Sequence, residues 1–280
     1  MKVAVLADIH GNMPALEVVA ADIDDWQPDK VVLAGDVVNR GPSPLECLEF
    51  VLEKERRSGW QFVRGNHEEY VIDQARRDAP RSGPAFDIAQ AAYWTLGRLN
   101  GDVSALKNMP FQVSFDVDGD ETRIVHASMH GNRVGIYPET LDDDLRHKIA
   151  PPPAVLCVGH THRPLNRRID QTRVINVGSA GMSFDGDPRA AYARLRRTAG
   201  RWQAEIVRLA YDQAQTDRDF FESGFFDEAG DLVRIMLIEF RQARPLIHTW
   251  SRIYEEAVRA GQITVAESVD RYLDSINGHS

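Results

Sequence analysis

Val3-Ala4-Val5-Leu6-Ala7-Asp8-Ile9-His10 is a short apolar run that stops abruptly at two ligand-type side chains. An apolar run of this length, bounded by polar residues, predicts a buried strand. Pro14 to Asp25 follows with Leu16, Val19, Ala20 and Ile23 on one face at helical spacing, so an amphipathic helix is expected there. Lys30 to Ala34 reads as a second strand. Ser43-Pro44-Leu45-Glu46 combines a capping box with proline at the first helical position and predicts a helix start. Trp60 to Val63 is a third strand. Strands alternating with helices require right-handed crossovers and therefore a parallel sheet.

Further along, the pattern changes. Residues 68–107 are polar and helical in character, broken between Pro80 and Pro84, and are expected to form a helical insert. Strand signals return at Val113–Val117 and Arg123–Val125, joined by Asp118-Gly119-Asp120, a good hairpin signal. Ala154–Val158, Val174–Val177, Ala190–Leu195 and Trp202–Leu209 complete a second set of strands. After Tyr211 the chain turns helical. Leu246, Trp250, Ile253, Tyr254 and Ala257 fall on one face, and Thr264-Val265-Ala266-Glu267 is a capping box before a last helix with Val265, Val269, Tyr272 and Leu273 aligned. The expected division is a domain over 1–211 carrying the insert, followed by a helical extension over 212–280.

With 43% hydrophobic and 27% charged residues, the chain has a globular and not a disordered composition. A formal net charge of −9 argues against a broad grip on nucleic acid or anionic lipid. Cys47 and Cys157 stand in no ligand spacing, so disulfide chemistry is not expected and a reducing cytoplasm is the default. The run at Val3–Ala7 is too short for a signal-peptide core, and no segment approaches the ~20 apolar residues of a membrane span. A soluble protein is expected.

Asp8-Ile9-His10, Gly35-Asp36, Gly65-Asn66-His67, His126 and Gly159-His160-Thr161-His162 each follow an apolar strand. Taken singly, each is an ordinary turn. Together, and in order, they point to metal, because loops at the carboxyl ends of strands converge in open α/β sheets. Asp8 and His10 are two apart, so an extended backbone would place both on one side, and His160 and His162 repeat the pattern. Carboxylates, imidazoles and one amide, with no thiolate, suit Mn²⁺, Fe, Zn²⁺, Ni²⁺ or Co²⁺ and are too nitrogen-rich for a dedicated Ca²⁺ or Mg²⁺ cage.

These clusters, with Glu68 after His67, resemble the signature of the calcineurin-like metallophosphoesterases over about residues 1–212. Asn176-Val177-Gly178-Ser179 is similar to the Asn-Pro-Gly-Ser turn of bacterial members, with Val177 in place of proline. The resemblance implies a four-layer αββα sandwich holding two divalent metals, manganese first among them. Asp8, His10, Asp36 and His162 would hold one; Asp36, Asn66, His126 and His160 the other, with Asp36 bridging. It further implies hydrolysis of a phosphate ester or anhydride by a hydroxide held between the metals. His67 matches a non-ligand histidine that protonates the leaving group or stabilises the phosphate. Asn39-Arg40-Gly41 stands where many relatives carry Asp-Arg-Gly, so Arg40 would grip phosphate unless it is a solvated loop residue.

Gly35-Asp36-Val37-Val38-Asn39-Arg40-Gly41-Pro42 resembles the loop of symmetrical dinucleoside tetraphosphatases, which makes a dinucleoside polyphosphate the first substrate expected. A phosphoprotein phosphatase, a cyclic-nucleotide phosphodiesterase and a non-catalytic scaffold of the same fold are the alternatives. Expected partners are a small phosphorylated substrate and, through the C-terminal helices, a second copy of the chain; neither stable nucleic-acid binding nor membrane binding is expected. His130, Arg133, His147, Tyr93, Trp94 and the run Asp142–Asp144 read as loop, partial core or solvated face.

Overall fold

The computed structural model describes residues 1–277, and its strands form two five-stranded sheets. The first sheet holds β1 (Lys2–Leu6), β2 (Lys30–Leu33), β3 (Gln61–Phe62), β9 (Ala190–Thr198) and β10 (Arg201–Leu209) in the order β10-β9-β1-β2-β3. The second holds β4 (Gln112–Val117), β5 (Asp120–Val125), β6 (Val155–Val158), β7 (Leu165–Ile169) and β8 (Thr172–Asn176) in the order β4-β5-β6-β8-β7. β1, β2 and β3 pair in parallel, as do β5, β6 and β8, so the carboxyl ends of each set open on one side.

Side-chain alternation builds the layers. Val3, Val5 and Ala7 turn toward Ile124, Val155, Cys157 and Ile175 and form the core between the sheets. Ala4 and Leu6 turn the other way, onto α1 (Met13–Trp26) and α2 (Pro44–Ser58). On the far face, Val125, Leu156, Val158 and Val174 are covered by Leu145 of α7 (Asp142–Lys148) and by Ile149. The stack is helix, sheet, sheet, helix: the expected αββα sandwich.

Four helices, α3 (Asn66–Gln74), α4 (Pro84–Ile88), α5 (Gln90–Arg98) and α6 (Ser104–Asn108), occupy the stretch between β3 and β4. After β10 come α8 (Gln213–Glu222), α9 (Phe225–Glu228), α10 (Leu232–Gln242), α11 (Leu246–Trp250), α12 (Glu256–Arg259) and α13 (Val265–Asn277), with a π-helical turn at Ser251–Glu255. Phe220, Phe225, Val233, Leu237, Trp250 and Val269 pack together and against Ala91 and Trp94 of α5. The C-terminal helices thus bury their apolar stripes on each other and on the insert. None of the described helices is long and apolar enough to cross a membrane.

Local signals hold in several places and fail in others. Thr264 and Glu267 close a reciprocal capping box, each backbone N–H meeting the other side chain at 3.1 Å. Ser43 precedes α2 as expected, but its side chain makes no capping hydrogen bond. β7 has no counterpart in the sequence reading: Leu165-Asn166-Arg167-Arg168-Ile169 is an edge strand whose charged residues hide the pattern. The single apolar face from Leu246 to Ala257 also breaks. Ile253 is 58% exposed and Val258 is buried in place of Ala257. The π turn at Ser251–Glu255 holds one residue more than an α turn, which rotates the following side chains by about 100°.

Candidate metal centre

Every side chain expected to bind metal lies at the end where the two parallel strand sets open. Asp8 and His10 follow β1, Asp36 follows β2, and Asn66 opens α3 after β3. His126 follows β5, and His160 and His162 follow β6. Ligand atoms converge within 4.8 Å in three groups: Asp8 with His10 and His162, His10 with Asp36 and His67, and Asp36 with His126 and His160. Asn66 Oδ1 lies 2.8 Å from both His126 Nε2 and His160 Nδ1 and so belongs with the last group.

The backbone that achieves this is not extended. Asp8, His10, Asp36, His160 and His162 all have φ between 51° and 68°, the left-handed region that non-glycine residues avoid. The Asp-x-His and His-x-His pairs therefore share a side because the chain coils left-handed, and not because it continues a strand. Each such residue costs on the order of 1–3 kcal/mol and persists only where its surroundings over-determine it. Here they do. Asp8, His10 and Gly11 donate backbone N–H bonds of 2.9–3.0 Å to the carbonyls of Gly35, Asp36 and Val37. The fully buried Glu68 carboxylate accepts the N–H groups of Asp36, Gly65, Val37 and Val38 at 2.8–3.3 Å, clamping the second and third loops together. Burial, reinforced by the Asp36 charge, raises the Glu68 carboxyl to about 7. Gly65 is required by closeness: a Cβ there would stand 2.0 Å from Asp36 Oδ1. Ser179 Oγ donates to the Asp8 carbonyl at 2.7 Å, and Asn176 Nδ2 to Gly159 and Thr161 at 2.8 Å, so the Asn-Val-Gly-Ser turn braces the first and last loops.

Backbone carbonyls orient three of the imidazoles. Nδ1 of His10 meets the Asn39 carbonyl at 3.2 Å, Nδ1 of His126 meets the Ala34 carbonyl at 2.8 Å, and Nδ1 of His162 meets the Met182 carbonyl. A carbonyl only accepts, so each Nδ1 carries a proton, which at His10 and His162 leaves Nε2 to face the cluster as a free donor of electrons, the arrangement that orients metal-ligating histidines. His10 Nε2 and His162 Nε2 then confront each other at 3.1 Å, and Asp8 Oδ1 beside them is buried without a hydrogen-bond partner. Two lone pairs at that distance repel unless a cation lies between or beside them. Burial drives the His10 imidazole well below its ordinary range, and drives His160 down to about 3, so protons are poor substitutes for that cation. At His126 burial also pulls downward, but Asp36 prevails and takes it up to about 10; there a proton stands in for positive charge that the Asp36 carboxylate demands. Asp36 itself, which burial alone would raise, is held well below the usual carboxylate range by His126, His67 and His10. The donor set fits divalent metal.

Arg40 and His67 line the same cavity, about 790 Å³ in volume, with Asp36, Asn66, His160 and His162. A larger cavity of about 1120 Å³, around Pro152, Arg168 and Trp202, lies at the opposite ends of the strands and holds none of these ligands. Asn39 sets the state of His67. Its Oδ1 accepts the Arg40 backbone N–H at 2.9 Å, which fixes the amide so that Nδ2 donates to His67 Nδ1 at 3.0 Å. His67 Nδ1 is thereby an acceptor, and in the neutral ring the proton sits on Nε2. Burial pushes the imidazole down to about 3, although the Asp36 carboxylate pulls the other way. Sequence reasoning missed Glu239. This residue of α10, 1% exposed, accepts from Arg40 Nη2 at 2.5 Å and from the Ile247 N–H at 2.8 Å. A lone glutamate on an apolar helix face was the one signal available, and nothing local tied it to Arg40. Of the residues read as bystanders, Trp94 is buried against Phe225, Tyr93 bonds the Pro80 carbonyl, and His130 and His147 face each other at 4.2 Å.

The sequence model of the calcineurin-like phosphoesterase superfamily domain matches residues 1–199. A crystal structure of a metallophosphoesterase from Sphaerobacter thermophilus superposes with a TM-score of 0.69 at 26% identity, covering 87% of this chain and 99% of that one. An uncharacterized protein of Methanocaldococcus jannaschii is 27% identical over 228 residues, 75% of this chain and 88% of that protein. A symmetrical bis(5'-nucleosyl)-tetraphosphatase of Haemophilus influenzae is 35% identical over 94 residues, 29% of this chain and 33% of that protein.

Proposed function

Since the chain belongs to the calcineurin-like phosphoesterase superfamily and is a phosphoester hydrolase, we propose that it works with two divalent ions. One would be held by Asp8, His10, Asp36 and His162, the other by Asp36, Asn66, His126 and His160, with Asp36 shared. Manganese suits this mixture of imidazole, carboxylate and amide, and iron, zinc, nickel or cobalt would accept the same donors. When bound, the ions supply Lewis acidity toward phosphoryl oxygens and lower the pKa of water for attack on phosphorus. The bare Nε2 pair of His10 and His162, beside the unpartnered Asp8 Oδ1, is the observation that carries this reading.

The chain's own groups supply the rest. Arg40 commits one guanidinium nitrogen to Glu239, which leaves the remainder of its planar fork for phosphoryl oxygens. His67 offers neither nitrogen to a metal, because Asn39 caps Nδ1 and Nε2 bears hydrogen. Its Nε2–H is a hydrogen-bond donor toward the phosphoryl group or the departing oxygen. The substrate we favour is a dinucleoside polyphosphate, supported by the loop from Gly35 to Pro42 and the partial likeness to the Haemophilus tetraphosphatase. Buried, unpaired Cys47 and Cys157 fit a reducing cytoplasm.

Stripping the protein with chelator, restoring Mn²⁺ and counting ions by mass spectrometry should give two per chain together with nitrophenol release from bis(4-nitrophenyl) phosphate. Two ions bound with no turnover of that ester or of any dinucleoside polyphosphate would favour a scaffold. Fewer than two ions at saturation would overturn the ligand assignment.

A further inference from the structure

The metal-facing cavity opens in a second direction. A slot of about 570 Å³ runs between the insert and the C-terminal helices, and Arg40, His67, His160 and Phe184 line both spaces. One wall of the slot carries Ile88 of α4, Ala92 of α5 and Ala89 between them; the other carries Leu232, Met236 and Ile247 from α10 and α11. At the junction Arg40 gives one nitrogen to Glu239 at 2.5 Å, and away from it Arg259 is matched by Glu255 at 2.7 Å. Apolar walls that the chain leaves unfilled between two packed helical units cost stability, and a mostly apolar space with a few polar groups at one end is the usual form of a small-molecule site. Ser251 and Glu255 of the π turn also line it, and such turns recur at functional sites.

We propose that this slot binds the apolar arm of the phosphate substrate, a flat, uncharged group of aryl or nucleobase size, while the phosphorus sits at the junction by Arg40 and His67. The inference rests on the phosphoesterase reading for the position of phosphorus. An anionic group deep in the slot has no unmatched cation to meet there, so the charged linkage of a dinucleoside polyphosphate would stay at the Arg40 end with only its base entering, and a small alkyl arm leaves the walls wet. The chain is therefore built for substituted phosphates with one large planar arm, and it gains little from a small one.

Phenylphosphonate and methylphosphonate share the anion and differ only in that arm. Calorimetric titration of the manganese-loaded full chain should give tighter binding of the phenyl compound by about tenfold or more. Ala89→Phe and Ile247→Trp fill the slot from opposite walls, and in either one the ratio of the two dissociation constants should fall toward one. The ratio is read within each variant, so a general loss of affinity does not mimic the effect. Equal affinities in the unaltered chain, or a preference that survives both substitutions, would overturn the proposal. Selective phenylphosphonate binding without hydrolysis of any ester would instead sink the phosphoesterase reading and leave the slot in place.

Discussion

At the open end of the sandwich, Asp8, His10, Asp36, His160 and His162 sit on left-handed backbone, locked by N–H bonds into neighbouring loops and by the Glu68 carboxylate. Across the cavity, α10 and α13 are regular helices that bury Val233, Leu237, Val269 and Tyr272 in ordinary apolar packing, with Ala243 at a helix end as a left-handed exception. One region holds a costly geometry through many directional bonds; the other holds a shape through contact area. Substitutions in the first should change turnover with modest change in folding, and substitutions in the second should do the reverse. Glu239 is where the two meet, because it hangs from the helical layer and grips Arg40.

The sharpest way to break the first region is Asp36→Ala. A carboxylate common to two of the ligand groups is lost, and activity should fall by at least several kcal/mol of transition-state stabilisation, about three decades. Mass spectrometry should show reduced metal content in the same sample; full occupancy with normal turnover would end the two-metal assignment. His67→Ala should lower kcat by about 10²–10³ with metal content unchanged, the loss typical of one preorganised donor. Because Asn39 keeps the proton on Nε2 of a neutral ring, that loss should be similar for nitrophenolate and for alkyl leaving groups. A loss confined to alkyl leaving groups would mean that His67 gives up its proton after all.

At the junction, Glu239→Ala should reduce kcat/KM by about 10–100-fold, part of the ~2–4 kcal/mol expected for Arg40→Ala. In the Arg40→Ala background the same substitution should add almost nothing, since both act through one contact. Glu239→Gln, which keeps an acceptor for Arg40, should recover part of the loss, whereas a purely structural glutamate would show additive effects. Smallest in turnover is Phe225→Ala, far into the helical layer. Denaturant unfolding should register about 3–5 kcal/mol of lost stability while kcat below the melting range stays near that of the parent. A large drop in kcat there would mean that the helical layer does more than enclose.

Much of the sandwich and its site was legible because the signals are local. An apolar run ending in Asp8 or Asp36, or a capping box at Thr264, is visible within a few residues, and a parallel strand set forces such ends to one edge. The reasons were less legible than the places. Alternation along an extended chain suggested why Asp8 pairs with His10, yet the backbone there is left-handed, a conformation that Asp and His adopt more readily than most residues but do not signal as glycine does. β7 was missed because an edge strand tolerates arginines on its open side, and the face through Ile253 failed because a π turn leaves no mark in composition.

Apart from β7 and the π turn, the alternation of strands and helices, the donor chemistry and the ends at which the donors stand follow from short-range patterns in this sequence, since burial of alternate residues is decided strand by strand. That His10 and His162, separated by 152 positions, aim bare nitrogens at one point is a product of two sheets packing face to face. The engagement of Arg40 by Glu239, 199 residues away, and the slot between the insert and the C-terminal helices depend on how separately formed units dock. Docking is governed by surface shape and matched burial over whole faces, and no window of sequence contains both partners.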